Sequence, residues 1–455
     1  MRAEEAASVA APAERALDVE MAGAEPIPAD RRHGRPRSLF TLWFGANVQF
    51  ATLSVGALST SVFGLDFLPA AIAIVLGTVL SACLVGLLST RGARTGVVQL
   101  IQARAPFGWF GNLPAAVFTV INGVGWYTVD TLLGIFILRN LLGIGLLPAL
   151  VIMAVAQLSV PVFGYRMIHS LERVLAVLLL VVFVVVSFYG FGHAHFAAPA
   201  KPLAGAVGAF VLTVSVTSAR GLGWSAYSSD YSRYLPAGTR PARIFGAAAG
   251  GSAIAGAWIG VLGAALGTVG TVSDPSAMVS EQLPSVLGTV TLLALLASTL
   301  ASTVLDLYSG AMAALVAGIR IPRWVSVVGV CGLGTVLTWF AGQNDFAGQF
   351  QNFLLIMSYW LAPWAAVTVV AFWWRDRGGK PNLTQLYDRG HRFGWGLPAT
   401  LLGVAAAVPF MSQSLYTGPI AAAYPGLGVI GHVVGFVVAG LAYAAFTARQ
   451  PATTD

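Results

Sequence analysis

The sequence predicts an all-α polytopic membrane protein, and three observations carry that prediction. Hydrophobic residues fill 57% of the 455 positions and charged residues only 9%, against about a quarter charged in a soluble domain. The apolar residues fall into twelve runs, roughly 40–62, 66–90, 111–137, 141–161, 168–191, 205–229, 244–270, 286–317, 324–341, 346–373, 395–411 and 427–447. Most are long enough to cross a hydrocarbon core of about 30 Å. Alternating period-2 segments, the mark of a membrane β-barrel, do not occur.

Taken in order, the chain opens on a polar head, 1–38, rich in Ala, Glu and Arg and without periodicity, which reads as a disordered cytoplasmic tail. No cleavable signal precedes the first span, and the head is too acidic for an organelle-targeting peptide. Ten spans fill 39–373, a cytoplasmic loop follows at 374–394, two peripheral spans occupy 395–447, and 448–455 form a cytoplasmic tail. With the N-terminus inside, 22 of the 25 Lys and Arg residues lie on the cytoplasmic side. Only Arg139 and Lys201 fall outside, and Arg220 lies within a span. This positive-inside bias sets the orientation and accounts for the net charge of +7 without nucleic-acid binding. Cys83 and Cys331 sit in apolar runs and read as buried thiols, not as a disulfide.

Several function classes drop out. The chain has no phosphate loop of the G-x-x-x-x-G-K-[ST] type, so ATP is not its direct energy source, and no H-E-x-x-H or C-x-x-C cluster suggests a metal. No cofactor is expected. A membrane-embedded enzyme would need a nucleophile–base pair or a metal motif beside its carboxylates, and none is present.

Two runs carry interruptions at corresponding places. Span 1 has Ala46-Asn47 and then Ser54-Val55-Gly56; span 6 has Arg220-Gly221-Leu222-Gly223 followed by Trp224. They open two successive groups of five spans, and an odd number per group inverts the second relative to the first. That is the geometry of inverted-repeat transporters, whose substrate lies at the midplane between two broken helices. A charge beside a Gly-x-Gly break suits a helix that lines a cavity, since irregular backbone survives at bilayer depth only against protein or water. The Gly-x-x-x-small pairs of span 7 need no more than tight helix packing.

The landmarks Phe44-Gly45-Ala46-Asn47-Val48, Phe163-Gly164-Tyr165-Arg166 and Gly223-Trp224 leading to Asp230-Tyr231-Ser232-Arg233-Tyr234-Leu235-Pro236 resemble the nucleobase–cation symporter-1 family, and within it the purine/cytosine permeases. The resemblance covers about 38–447. It implies twelve helices in a LeuT-like 5+5 inverted repeat with discontinuous helices 1 and 6, and import of a nucleobase or related heterocycle with a proton or a sodium ion. It also implies that Trp126 and Trp224 sandwich the planar ring, where a flat heteroaromatic needs faces to stack on and polar groups to read its edge. Trp109, Trp324, Trp339 and Trp395 lie near span ends and read as interfacial anchors.

Asp130 follows Trp126 by four residues and shares its helix face. Asp130 and Asp306 stand where the family carries amides. A carboxylate only accepts hydrogen bonds when ionised, so the pair favours a ligand with several N–H donors or a positive charge. Glu172 matches a span-5 glutamate needed for transport in the fungal permeases. Ser54, Gly221 and Gly223 are further substrate-site candidates, and Arg220 is expected to form an ion pair with Asp130 or Asp306. The sodium-coupled hydantoin branch has a Ser-Thr pair six and five residues before the span-8 amide. Here those places hold Leu300 and Ala301, which offer no side-chain oxygen. Because a carboxylate in a low-dielectric cavity binds a proton more readily, proton coupling through Asp130, Asp306 or Glu172 is favoured over sodium. Other heterocycles, such as allantoin, a hydantoin or a thiamine-type pyrimidine, are the alternative substrates.

Overall fold

A computed structural model describes residues 25–159, 165–196, 201–202, 205–270, 274–318, 323–376, 382–427 and 429–449. Among these, six helices are long and apolar enough to cross a membrane, and five shorter apolar helices accompany them.

Span 1 is two helices, α1 (Pro36–Gly45) and α2 (Phe50–Ser61). The break falls at 46–49 and has a local cause. The Asn47 side-chain amide donates to the Trp43 carbonyl (2.7 Å), while its backbone N–H turns to Phe44 O (3.1 Å). A side chain thus takes the carbonyl that a fourth-residue N–H would otherwise fill. Ser54-Val55-Gly56, expected as part of the interruption, lies inside unbroken α2. Gly56 serves packing there: a Cβ would overlap the carbonyl of Gly260 in α11 (Pro241–Gly267).

Span 2 is α3 (Phe67–Thr95), and two single-turn helices, α4 (Gln99–Gln102) and α5 (Arg104–Phe107), follow it. Then come α6 (Leu113–Leu142), α7 (Leu146–Ser159) and α8 (Tyr165–His193). Span 6 begins as α9 (Gly205–Leu222), tightens to a 3-10 segment at Gly223–Tyr227, and resumes as α10 (Ser228–Ser232). After α11 stand α12 (Pro275–Gln282), α13 (Ser285–Val316), α14 (Arg323–Ala341) and α15 (Phe346–Val369), which runs into a π-helical end at Val370–Arg375. The 374–394 loop holds α16 (Leu383–Tyr387); α17 (Gly396–Ala407), a small hairpin, α18 (Pro419–Ala423) and α19 (Gly431–Thr447) complete the chain.

Helix α11 packs on α1, α2 and α3, α9 packs on α3 and α2, α6 packs on α7, α13 and α14, and α17 and α19 pack on α15. The landmark after span 6 is structural. Asp230 accepts from the Gln99 amide (2.7 Å), Ser229 and Ser232 donate to Leu88 O and Ser89 O (2.9 and 2.6 Å), and Gly92 leaves room for the Ser232 hydroxyl. These bonds stitch α10 to the end of α3 and to the start of α4.

The head departs from the expected disordered tail. Residues 1–24 lie outside the described residues, but 25–35 are docked: Ile27 N–H bonds Gly96 O (2.9 Å), Gly34 N–H bonds Tyr234 O (2.9 Å), and Arg32 donates to Ile27 O (2.7 Å) and Ala93 O (2.9 Å). The carbonyls at the end of α3 need donors, and the head supplies them. Trp109, read as an interfacial anchor, lies under Arg104, whose guanidinium carbon is 3.7 Å from the ring centroid. Burial among Leu386, Val316 and Trp109 lowers the Arg104 pKa to about 10.

Candidate functional site

The two breaks meet α6 and α13 around a cavity with about 320 Å³ of empty space. Helix α6 contributes Asn122 and Trp126 to its wall, four residues apart on one face. Asp130 is the next residue in that stripe. Helix α13 contributes Ser302 and Asp306, also one turn apart. The span-1 break supplies Gln49, α9 supplies Arg220, and the 3-10 segment supplies Gly223, Trp224 and Tyr227.

The two indoles are held from behind by edge-to-face contacts. Trp126 meets Phe353 (centroids 5.5 Å, 84°) and Phe350 (6.2 Å, 84°); Trp224 meets Trp43 (5.7 Å, 78°). Such contacts contribute about 1 kcal/mol each beyond area burial, and they fix ring faces that a planar ligand can stack on. Gly223 keeps the gap open, since a Cβ there would stand 3.2 Å from Trp126 Nε1. The tighter 3-10 winding turns Trp224 out of the register that an α-helix would give it.

The polar rim is unevenly satisfied. Ser302 Oγ lies 2.5 Å from Asp130 Oδ2 and 3.2 Å from Gln49 Oε1; its single proton is shared between them. Asp130 therefore stands behind Ser302 and is not itself among the lining residues. Asp306 Oδ2 and Asn122 Oδ1 are buried with no hydrogen-bond partner. A buried acceptor left unmade costs about 1–3 kcal/mol, so both atoms are open to donors from a ligand. The Tyr227 hydroxyl donates to Thr119 O (3.4 Å), which leaves its ring edge to the cavity.

Of the residues singled out from sequence, Trp126, Trp224, Gly223, Asp306 and Arg220 come together on this wall. Ser54 does not: it is fully buried and donates to Phe50 O within its own helix (3.0 Å). Gly221 faces Ser81 of α3, where a Cβ would overlap the hydroxyl; its role is close helix approach. The ion pair expected for Arg220 is not formed. Arg220 Nη2 donates to Asn47 Oδ1 (2.7 Å), and neither Asp130 nor Asp306 is within ion-pair distance of it among the described residues. The reason is geometric: Arg220 belongs to the packed group of α1, α3 and α11, whereas both carboxylates project from α6 and α13. Glu172 is on α8, but its side chain lies outside the described residues.

Sequence reading missed Gln49, Asn122, Ser302 and Tyr227. The signal for two of them was available: Asn122, Trp126 and Asp130 run i, i+4, i+8, and Ser302 precedes Asp306 by four. Beside Leu300 and Ala301 the hydroxyl protons are bonded within α13: Thr299 donates to Leu296 O (2.8 Å), and Thr303 donates to Thr299 O (2.8 Å) while accepting from Gln157 (3.0 Å).

Comparison with known proteins adds the context. Residues 26–435 match the model of the family described as permeases for cytosine/purines, uracil, thiamine and allantoin. The chain is 28% identical over 442 residues to YxlA of Bacillus subtilis, covering 94% of this chain and 95% of that protein. It is 24% identical over 450 residues to the purine-cytosine permease fcyB of Emericella nidulans, covering 94% and 88%. Among solved structures it shares its fold with Mhp1, a nucleobase-cation-symport-1 family transporter. The TM-score is 0.73 (19% identity, 96% and 97% covered) for a closed form with bromovinylhydantoin bound. For an inward-facing form it is 0.77 (18% identity, 96% of both chains covered).

Proposed function

The chain belongs to the family of permeases for cytosine/purines, uracil, thiamine and allantoin, membrane transporters and not enzymes, and on that premise we propose that it imports a purine- or cytosine-class nucleobase by symport with a proton. In this reading twelve spans form a 5+5 inverted repeat with two peripheral helices, the termini are cytoplasmic, and the protein lies in the cell membrane. Trp126 and Trp224 stack on the two faces of the base. Asp306 and Asn122 accept from its ring and exocyclic N–H groups, and Gly223 gives the ring its slot.

The observation that carries the reading is the meeting of two braced indoles and the unpartnered Asp306 Oδ2 in one cavity at two helix breaks. A planar ligand with N–H donors satisfies both features at once, by stacking and by filling the empty acceptor. Proton coupling is supported by the carboxylates themselves. Asp306 is on the wall, and Asp130 stands behind the wall residue Ser302, which donates to it, so a proton can reside on one carboxylate when substrate N–H groups engage the other. Leu300 and Ala301, which offer no side-chain oxygen where the sodium-coupled hydantoin branch carries a Ser-Thr pair, argue against sodium. One charge moving down 100 mV supplies about 2.3 kcal/mol, roughly 50-fold accumulation. Glu172 remains a candidate for the same coupling role.

The test is uptake into proteoliposomes of labelled cytosine, adenine, hypoxanthine and uracil, with allantoin and a hydantoin alongside. Concentrative uptake of a base driven by an inward proton gradient, unchanged when sodium is replaced by choline, is the expected result. Uptake that follows a sodium gradient and ignores pH overturns the coupling; concentration of only allantoin or the hydantoin overturns the substrate class.

A further inference from the structure

A second cavity, about 190 Å³, lies behind the first, and Arg220 and Trp224 form the wall between them. The span-1 break contributes Asn47, α3 contributes Thr78 and Ser81, and α11 contributes Ser252. No acidic residue lines it, so Arg220 is its one charge. That guanidinium is 3% exposed. Its Nη2 is bonded to the uncharged Asn47 Oδ1 (2.7 Å), and its Nη1 has no protein acceptor. Ser252 is 5% exposed, and its hydroxyl is likewise without a partner. The Ser81 hydroxyl is committed to the Gly77 and Thr78 carbonyls (3.2 and 3.0 Å). Space for the guanidinium is provided by Gly256 of α11, where a Cβ would stand 3.2 Å from Nη2.

A buried cation without a counter-charge costs several kcal/mol. In most proteins a carboxylate supplies the counter-charge; here the nearest partner is an amide. Two buried donors, one of them charged, open into one polar cavity that holds no acid. We propose that this second cavity binds a small monovalent anion of the chloride class, held between Arg220 and Ser252. The anion neutralises Arg220 on the face turned away from Asp306. In doing so it fixes the guanidinium that separates the two cavities, and with it the start of the 3-10 segment that carries Trp224. The site is distinct from the heterocycle cavity and does not depend on which base, if any, is carried.

The test uses the purified full chain in detergent with no heterocycle present, so its failure is separate from failure of the transport reading. Apparent melting temperature is followed as sodium gluconate is replaced by sodium chloride at constant ionic strength, then by sodium bromide. Chloride and bromide are expected to raise it saturably, because a ligand of the folded state stabilises it, whereas gluconate is too large to enter. Ser252→Ala is expected to raise the half-saturating chloride concentration roughly tenfold, the loss of one hydrogen bond to a charge. Gly256→Ala, which crowds the guanidinium, shifts it in the same direction. Arg220→Gln removes the response; if that variant does not fold, Ser252→Ala decides alone. Equal melting in chloride and gluconate, or a chloride response unchanged in Ser252→Ala, overturns the proposal.

Discussion

The two broken spans solve the same problem by different means. In span 1 the helix stops: Asn47 caps Trp43 with its side chain and turns its backbone aside, and the freed residues bring Gln49 to one cavity and Asn47 to the other. In span 6 the helix never stops but tightens over Gly223–Tyr227, and glycine and a bulky indole do the shaping. The first break is built from polar side chains that replace backbone hydrogen bonds. The second keeps its backbone bonds and changes only its winding. A break of the first kind is intolerant of losing its polar residue; a break of the second kind is intolerant of gaining volume.

That contrast gives four expectations, from the largest effect to the smallest. Asn47→Leu removes both the Trp43 cap and the acceptor of Arg220 Nη2, leaving a buried charge unpaired. A buried charged donor that loses its acceptor costs about 3 kcal/mol or more, so the variant is expected to lose the monodisperse folded peak in size-exclusion chromatography. Gly223→Val fills the slot beside Trp126; uptake is expected to fall to background while the folded peak is kept. Trp224→Ala removes one stacking face, worth about 1–3 kcal/mol per base, and is expected to weaken half-saturating substrate by tenfold or more. Ser54→Ala touches only a bond within α2 and is expected to leave uptake within about twofold, in line with the small contribution of such back-bonds. A Gly223→Val variant with normal uptake, or an Asn47→Leu variant with normal folding, would erase the distinction between the breaks.

Much of the fold was legible because burial in lipid leaves a coarse, repeated signal. Among the described residues the apolar runs fall largely on helices, including the short ones α7, α17 and α19. The site was legible where chemistry is rare in an apolar context: Arg220, Trp224, Asp306. It was not legible where side chains have two uses. Ser54 and Gly56 looked like an interruption, yet a hydroxyl can bond its own helix and a glycine can admit a neighbour. The partner of Arg220 was misjudged because sequence gives the sign of a charge but not the direction it faces. Helix α9 packs on α3 and α2, and Arg220 reaches from it to Asn47 in the span-1 break. Gln49 and Asn122 were passed over as single amides in apolar runs, although Asn122 shares a helix face with Trp126.

The central claim is that one planar heterocycle is clasped between Trp126 and Trp224. Equilibrium binding of labelled cytosine and adenine to the purified protein, compared with Trp126→Ala and Trp224→Ala, tests it most directly. The account predicts saturable binding of at least one base by the unaltered chain and a loss of tenfold or more in affinity for each variant. Binding that both variants retain at full affinity would contradict it.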